Sequence, residues 1–417
     1  MMRRSYHYIE KKIGSYFRID SSYFIKGGFW LTVTQGAVLF AGIISTAIFA
    51  HFLQESQYGT YRYLISLAAL FSAFSLTGLG QSILQTAAKK YAGFYIETIK
   101  TNLIYSLGIT FFSLAAFSYY LFKDNSTLAF GCLLISLLQP LINTYQNTSI
   151  FLQGEGRYKE STFSQSFKVF ITTSLSVAAL YFTKDILILF LTYLISNLVT
   201  NWLIHSRFLP NCVVTTPRKV FDTYMQYAKH TSVRNLIGSI SNRLDTILIF
   251  TQLGAGELAI YTIATVIPEQ IKASFKNLAA LLLPKYATNN VENLLKSVRT
   301  RSMQLLACLI LITVAYLVTV PHVYALLFPK YETAVFFSQV SALAFPAFVL
   351  LIPYSILQSH LAEEKLYKIT LYGSIFQVIS LITLIYFYGL LGAVISKILY
   401  RFFTLVLTYS ALRKISQ

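Results

Sequence analysis

Acidic residues are scarce in this chain. Asp and Glu number 16 among 417 residues against 34 Lys and Arg, and charged residues together make up only 12%, about half the share of a soluble domain. So little charge cannot cover an aqueous surface. With 55% hydrophobic residues and a mean hydropathy of +0.58, the composition excludes the soluble globular class and gives a polytopic membrane protein. The net charge of +18 is then read by its distribution among loops and not as a nucleic-acid surface. Cysteine is also rare: Cys132, Cys212 and Cys308 are far apart, form no C-x-x-C, and two of them lie in apolar runs. That pattern fits inert small hydrophobes, with no disulfide and no metal. Sequence signatures of catalysis are missing too. There is no G-x-x-x-x-G-K-[ST], no H-E-x-x-H and no G-x-S-x-G, and the only adjacent carboxylates, Glu363 and Glu364, fall in a loop. No cofactor is expected. Membrane transferases and polymerases need a sizeable aqueous portion, and every loop here is short, so an enzyme is the weaker class. Active transport by such a chain draws on an ion gradient or on downstream consumption.

What is present is a succession of about twelve apolar runs long enough to cross a bilayer core of about 30 Å. The spans are read at 27–52, 60–86, 101–122, 127–152, 161–182, 185–208, 226–251, 257–283, 300–320, 334–361, 366–388 and 389–412. The chain divides into a basic segment at 1–26, six spans over 27–208, a connector at 209–225, six spans over 226–412 and a tail at 413–417. The fold class is all-α. The basic segment has no compact apolar stretch ending in a cleavage site, so no cleaved signal peptide is expected. Its residues Tyr6, Ile9, Ile13, Tyr16 and Phe17 share a rough helical face, which fits either a helix lying on the inner membrane surface or a frayed basic tail. Most Lys and Arg fall in segments on one side, including Arg3, Arg4, Lys11, Lys12, Lys89, Lys90, Arg218, Lys219, Arg299 and Arg301. The opposite loops hold Arg62, Lys123, Lys184 and Lys330. This asymmetry puts both termini in the cytoplasm. The two halves also resemble each other: Leu53 to Tyr61 follows the first span as Leu253 to Tyr261 follows the seventh, and Lys90-Tyr91-Ala92 matches Lys285-Tyr286-Ala287. Two lobes of six spans have the same orientation, related by a pseudo-twofold axis along the membrane normal. Chance similarity of apolar sequence competes with that reading.

Charges at membrane depth are the strongest functional signal, because each costs at least about 2.5 to 3.5 kcal/mol at the bilayer centre. Lys168, Arg234, Arg243, Lys272, Lys276, Lys397 and Arg401 stand against only Asp245 and Glu269, an excess that suits an anionic cargo. Glu269, Lys272 and Lys276 share one helical face, Lys397 and Arg401 another, and Arg234 aligns with Asp245. The competing explanation is snorkelling for Lys168, Arg234 and Lys276, and a structural ion pair for Glu269 with Lys272. Gln139, Asn143, Gln146 and Asn147 form a polar stripe in the fourth span, echoed by Asn197 and Asn201 in the sixth. These residues either hydrogen-bond sugar hydroxyls or join helices, the second being favoured. Pro140, Pro268, Pro346 and Pro353 are expected to kink their spans.

Several stretches carry a family resemblance: Tyr58-Gly59-x-Tyr61, Gly78-Leu79-Gly80, Phe151-Leu152-Gln153-Gly154-Glu155-Gly156-Arg157-Tyr158, and Asn242-Arg243-Leu244-Asp245 with Tyr261. In this order the chain resembles the Wzx-type O-antigen flippases of the multidrug/oligosaccharidyl-lipid/polysaccharide (MOP) exporter superfamily over nearly its whole length. The resemblance implies a bacterial inner-membrane protein that moves an undecaprenyl-diphosphate-linked oligosaccharide between leaflets. Partners implied are that lipid-linked oligosaccharide, membrane lipids, and a polysaccharide polymerase with its chain-length proteins. In that account the cations attract the diphosphate, and Asp245 and Glu269 carry a coupled proton. The alternative is an ion-coupled multidrug or organic-ion antiporter of the same fold. Multidrug relatives often use a carboxylate early in the first helix, whereas residues 27–52 offer only Gln35 and His51. Peptidoglycan-precursor flippases usually have extra helices and arginines in their first spans, and this chain has neither.

Overall fold

The computed structural model describes residues 21–208, 216–280, 291–359 and 363–413. The basic segment through residue 20, the first part of the connector, the Lys285-Tyr286-Ala287 repeat and the extreme tail lie outside the described residues. The first half contains α1 (Ser21–Phe52), α2 (Glu55–Ser72), α3 (Leu79–Ala88), α4 (Ala92–Phe122), α5 (Ser126–Tyr145), α6 (Thr148–Gly154), α7 (Tyr158–Phe182) and α8 (Ile186–Phe208). The second contains α9 (Arg218–Gln252), α10 (Ala255–Ala280), α11 (Val291–Leu327) and α12 (Glu332–Ala342). A 3-10 turn (Phe345–Leu350), α13 (Leu351–Ser359) and α14 (Glu363–Arg413) complete it. Residues 218–225, read from sequence as connector, are the first two turns of α9.

Broken helices account for the difference between these elements and the predicted spans. The second span is α2 and α3 joined across 73–78, the fourth is α5 and α6 joined at Gln146 and Asn147, and the tenth bends by 41° between α12 and the 3-10 turn. At 51 residues α14 is far too long for one crossing at about 1.5 Å per residue. It reverses at Gly389, whose φ of 56° and ψ of −132° interrupt the helix. That backbone region is open essentially to glycine alone. Counted this way, the described residues form twelve spans in two six-helix lobes. Some are too polar to be recognised as membrane-crossing by composition alone, α9 and α10 among them.

Prolines inside helices are handled by one recurring device. A proline at position i leaves the carbonyl at i−4 without its helical donor. Opposite Pro140, Thr110 Oγ1 of α4 donates to the Ser136 carbonyl at 3.0 Å. Opposite Pro268, the buried Tyr324 hydroxyl donates to the Ala264 and Ile263 carbonyls at 3.2 and 2.8 Å. Opposite Pro321, Gln339 Nε2 reaches the Leu317 carbonyl at 3.1 Å. Each proline-freed carbonyl is thereby tied to a neighbouring helix.

The lobes meet chiefly through α2 and α10, with α9 against both α2 and α3, and α10 against α1. On the side of the Gly254 loop this contact is tight. A Cβ added at Gly59 would overlap the Ala255 carbonyl, so only glycine lets the two backbones come this close. Nearby, Tyr63 stacks on Phe250 at 3.9 Å and Lys330 Nζ donates to the His51 carbonyl at 2.5 Å. Towards the other side, the Gly78 N–H donates to Ser232 Oγ at 2.9 Å and Ser82 Oγ to the Tyr224 carbonyl at 3.0 Å. At the loop between α6 and α7, Arg157 donates to Glu155 and Glu160, and its guanidinium holds the Glu160 carboxyl below its ordinary range.

Candidate functional site: a cationic cavity in the second lobe

Three helices of the second lobe bring charge to one place. Asp245 of α9 is 4% exposed. Its Oδ2 accepts from the Tyr261 hydroxyl of α10 at 2.6 Å and from Lys397 Nζ of α14 at 3.2 Å. Lys397 also lies 3.2 Å from Glu269 Oε1 and 3.3 Å from the Tyr261 hydroxyl. Glu269 Oε1 accepts from Arg401 Nη2 at 2.6 Å, and its Oε2 from Lys272 Nζ at 3.0 Å. Tyr261, Asp245, Lys397, Glu269, Arg401 and Lys272 thus form one continuous network. Ionised groups taken out of water are tolerated only when each is paired and hydrogen-bonded. Three cations face two carboxylates here, which leaves a net charge of +1.

Next to this network lies a cavity of about 700 Å³. Lys272, Lys397 and Arg401 all line it, joined by Arg234 from α9. Arg234, Gly238 and Asn242 recur every fourth residue and so form one wall of α9. Lys397, Arg401, Thr404 and Thr408, at i, i+4, i+7 and i+11, form a wall of α14 in the same way, while Thr370 and Gln377 line the cavity from its first half. Among the described residues the first lobe contributes only Thr77 and Gln81. Among the described residues no carboxylate lines this cavity; Asp245 and Glu269 stand behind the cations. Its walls therefore present four positive groups, with hydroxyls and amides between them. Arg401 is 6% exposed and its guanidinium lies over the Phe348 ring at 5.1 Å, a cation–π contact that helps hold it in place.

The structure gathers only part of the predicted set. Arg234, Lys272, Lys397 and Arg401 line the cavity, with Asp245 and Glu269 directly behind. Arg243, one position along α9 from Asn242, is exposed on another face, where its charge acts on Tyr193 of the first lobe. Lys168 lies on α7, away from this cavity. The side chain of Lys276 lies outside the described residues. None of the six polar residues considered for sugar contacts lines the cavity. Gln139 Nε2 donates to Ser72 Oγ at 2.9 Å and Asn143 Nδ2 to Ser75 Oγ at 3.2 Å, both joining α5 to α2 or the residues just after it. Asn201 Nδ2 reaches the Ile142 carbonyl at 3.3 Å, and Asn197 Nδ2 its own helix at Tyr193. Asn147 is buried at the α5–α6 break and Gln146 is exposed. The polar wall that does face the cavity, including Asn242, Gln377, Tyr354 and Tyr400, was not singled out from the sequence as a polar contact surface. On α14 a signal was available in the i, i+4, i+7, i+11 recurrence of Lys397, Arg401, Thr404 and Thr408, but Asn242, Gln377, Tyr354 and Tyr400 fall outside that spacing.

Comparison with known proteins places this architecture. The chain resembles a MOP superfamily transporter from Pyrococcus furiosus, reported with a binding pocket of reversed polarity, at 15% identity and a TM-score of 0.64, covering 94% of this chain and 95% of that one. It also resembles the lipid II flippase MurJ in an inward closed conformation, at 11% identity and a TM-score of 0.67, covering 92% and 87%. A multidrug resistance MATE transporter of the same superfamily, outward-facing, gives 15% and 0.63, covering 94% and 96%. At these identities the likeness is one of fold, the twelve-helix MOP fold. Curated proteins give no match. The sequence model of the family described as polysaccharide biosynthesis protein matches residues 24–273, more than half of the chain and across the lobe boundary. The chain belongs to the polysaccharide biosynthesis protein family, a multi-pass membrane protein with the fold of the MOP transporters.

Proposed function

We propose that this protein flips an undecaprenyl-diphosphate-linked oligosaccharide, an O-antigen or related surface-polysaccharide repeat, from the cytoplasmic to the periplasmic leaflet. The observation that carries this reading is the cavity of about 700 Å³ walled by Arg234, Lys272, Lys397 and Arg401 without a facing carboxylate. A diphosphate is the part of such a lipid that needs cations, and guanidinium groups bind it with two parallel hydrogen bonds. The sugars would meet Asn242, Gln377, Tyr354 and the threonines of α14.

In this reading the protein sits in the bacterial inner membrane with both termini cytoplasmic, and its lobes, 27–208 and 226–412, rock about the central site without catalysing a reaction. The Gly254 side is then periplasmic and sealed, and the cavity lies toward the cytoplasmic ends of its helices. The arriving diphosphate draws Arg401 and Lys272 from Glu269. That carboxylate, relieved of two cations, takes up a proton that leaves when the pairs re-form. A polymerase and chain-length proteins would receive the product.

The same fold serves a multidrug transporter, so an organic-ion antiporter is the second reading, though a wall of four cations repels the cationic compounds that would test it. Deletion of the gene followed by surface-polysaccharide staining and a leaflet assay of the lipid-linked repeat separates the two. Flipping predicts loss of polymer and accumulation on the inner leaflet, uncorrected by Arg401→Ala or Glu269→Ala at normal expression. Unchanged polymer with increased sensitivity to small organic ions supports the antiporter.

A further inference from the structure

The first lobe holds a second, smaller, half-open cavity of about 100 Å³, lined by α1, α2, α7 and α8. Arg62, read from sequence as a loop residue, lies inside α2 and supplies the only charge on the cavity wall among the described residues. No carboxylate lines it, and Arg62 has no ion-pair partner among the described residues. Around this cation most of the lining residues carry hydroxyls, with Phe49 and Ile65 the apolar members. Tyr58 is 1% exposed and Ser176 4%, both line the cavity, and neither hydroxyl has a hydrogen-bond partner. Ser176 stands beside the Tyr61 phenol without closing a bond of ordinary geometry. A buried hydroxyl without a partner is unfavourable, so two of them on residues lining one cavity beside an unpaired guanidinium call for an acceptor. Arg243, from the opposite lobe, adds its field at Tyr193 on the same wall.

We propose that this cavity is a binding site for a monovalent inorganic anion of the size of chloride or bromide. Arg62 is the counter-ion, and the Tyr58 and Ser176 hydroxyls are the donors. The chemistry decides the class. A metal cation would find a guanidinium and no carboxylate, which is the wrong donor set. One guanidinium among neutral hydroxyls balances a single negative charge, which suits a monovalent anion and leaves a diphosphate without its second cation. The site also gives Tyr58 of the Tyr58-Gly59-x-Tyr61 stretch a role: its neighbour Gly59 lets α2 close on α10, while Tyr58 faces the anion.

The inference is independent of the transported substrate. It is tested on the full-length protein by soaking crystals in sodium bromide and recording anomalous scattering at the bromine edge. Thermal unfolding in detergent is followed alongside, in bromide against gluconate at equal ionic strength. The expected result is a bromide peak in this cavity and a saturable rise in unfolding temperature. Arg62→Gln abolishes both, Tyr58→Phe and Ser176→Ala weaken both, and Arg234→Gln in the other cavity leaves the peak in place. An empty cavity in the wild type overturns the proposal, as does a bromide stabilisation unchanged in Arg62→Gln. If Arg62→Gln does not fold, Tyr58→Phe and Ser176→Ala decide in the same way.

Discussion

Replacing Lys397 with Met removes the central cation of the network while keeping most of its volume. The Lys397 and Asp245 side chains are 21% and 5% exposed, so the aspartate cannot be rescued by water. In Lys397→Met it keeps only neutral partners among the described residues, the Tyr261 hydroxyl at 2.6 Å and the Thr246 N–H and hydroxyl at 2.7 and 3.3 Å. Glu269 by contrast still holds Arg401 and Lys272. Stranding one member of a buried pair costs about 3–5 kcal/mol, much of it the desolvation of the survivor. Removing that survivor as well should return most of the loss. Lys397→Met is therefore expected to destabilise the purified protein by about 3–5 kcal/mol in denaturant unfolding, and Lys397→Met with Asp245→Asn by less than half of that. Flipping fails in both, since Lys397 lines the cavity. A double variant no more stable than Lys397→Met would refute the argument that the pair is retained because each charge neutralises the other.

Three further outcomes follow from the packing. Tyr324→Phe leaves the Ala264 carbonyl without a donor and should lose about 1 kcal/mol; in a Pro268→Ala background, where a helical N–H returns, that increment should shrink, which unfolding of the four proteins measures. Gly59→Ala drives its Cβ into the Ala255 carbonyl, so cysteines placed on α2 and α10 at the Gly254 side should cross-link several-fold less than on the wild-type background. Asn143→Leu breaks a buried contact to Ser75 and should lower stability while sparing transport per folded molecule, whereas Asn242→Leu should lower transport at unchanged stability, as a flipping assay normalised to folded protein would read.

Much of the fold was legible because lipid is a strict solvent. Apolar runs of span length and the one-sided distribution of Lys and Arg are direct consequences of it, and twelve spans in two halves follow. The breaks were not legible. Gln146 and Asn147 read as a continuation of a polar stripe, yet they mark the α5–α6 break, and Arg62 read as a loop residue because α2 begins at Glu55. Helical spacing paired Glu269 with Lys272 correctly, since that contact is local. The long-range links, Lys397 to Asp245 and Arg401 to Glu269, depend on how α14 packs against α9 and α10, which no periodicity encodes. For the same reason Arg243 looked like a neighbour of Asp245 in function when it points to the other lobe. Gln139 and Asn143 carry the same polar atoms whether they meet a sugar or a serine, and only the packing of α5 on the second span shows which polar groups stand opposite them.

The central claim is that the four-cation wall receives a lipid-linked diphosphate for transport. The direct measurement is flipping of a fluorescently tagged undecaprenyl-diphosphate oligosaccharide by the purified protein in proteoliposomes, comparing wild type, Arg234→Gln, Arg401→Gln and the two combined. The account predicts robust flipping by the wild type, at least a tenfold loss in each single variant and none above background in the double, with all four equally folded. Flipping by the double variant at the wild-type rate would contradict it.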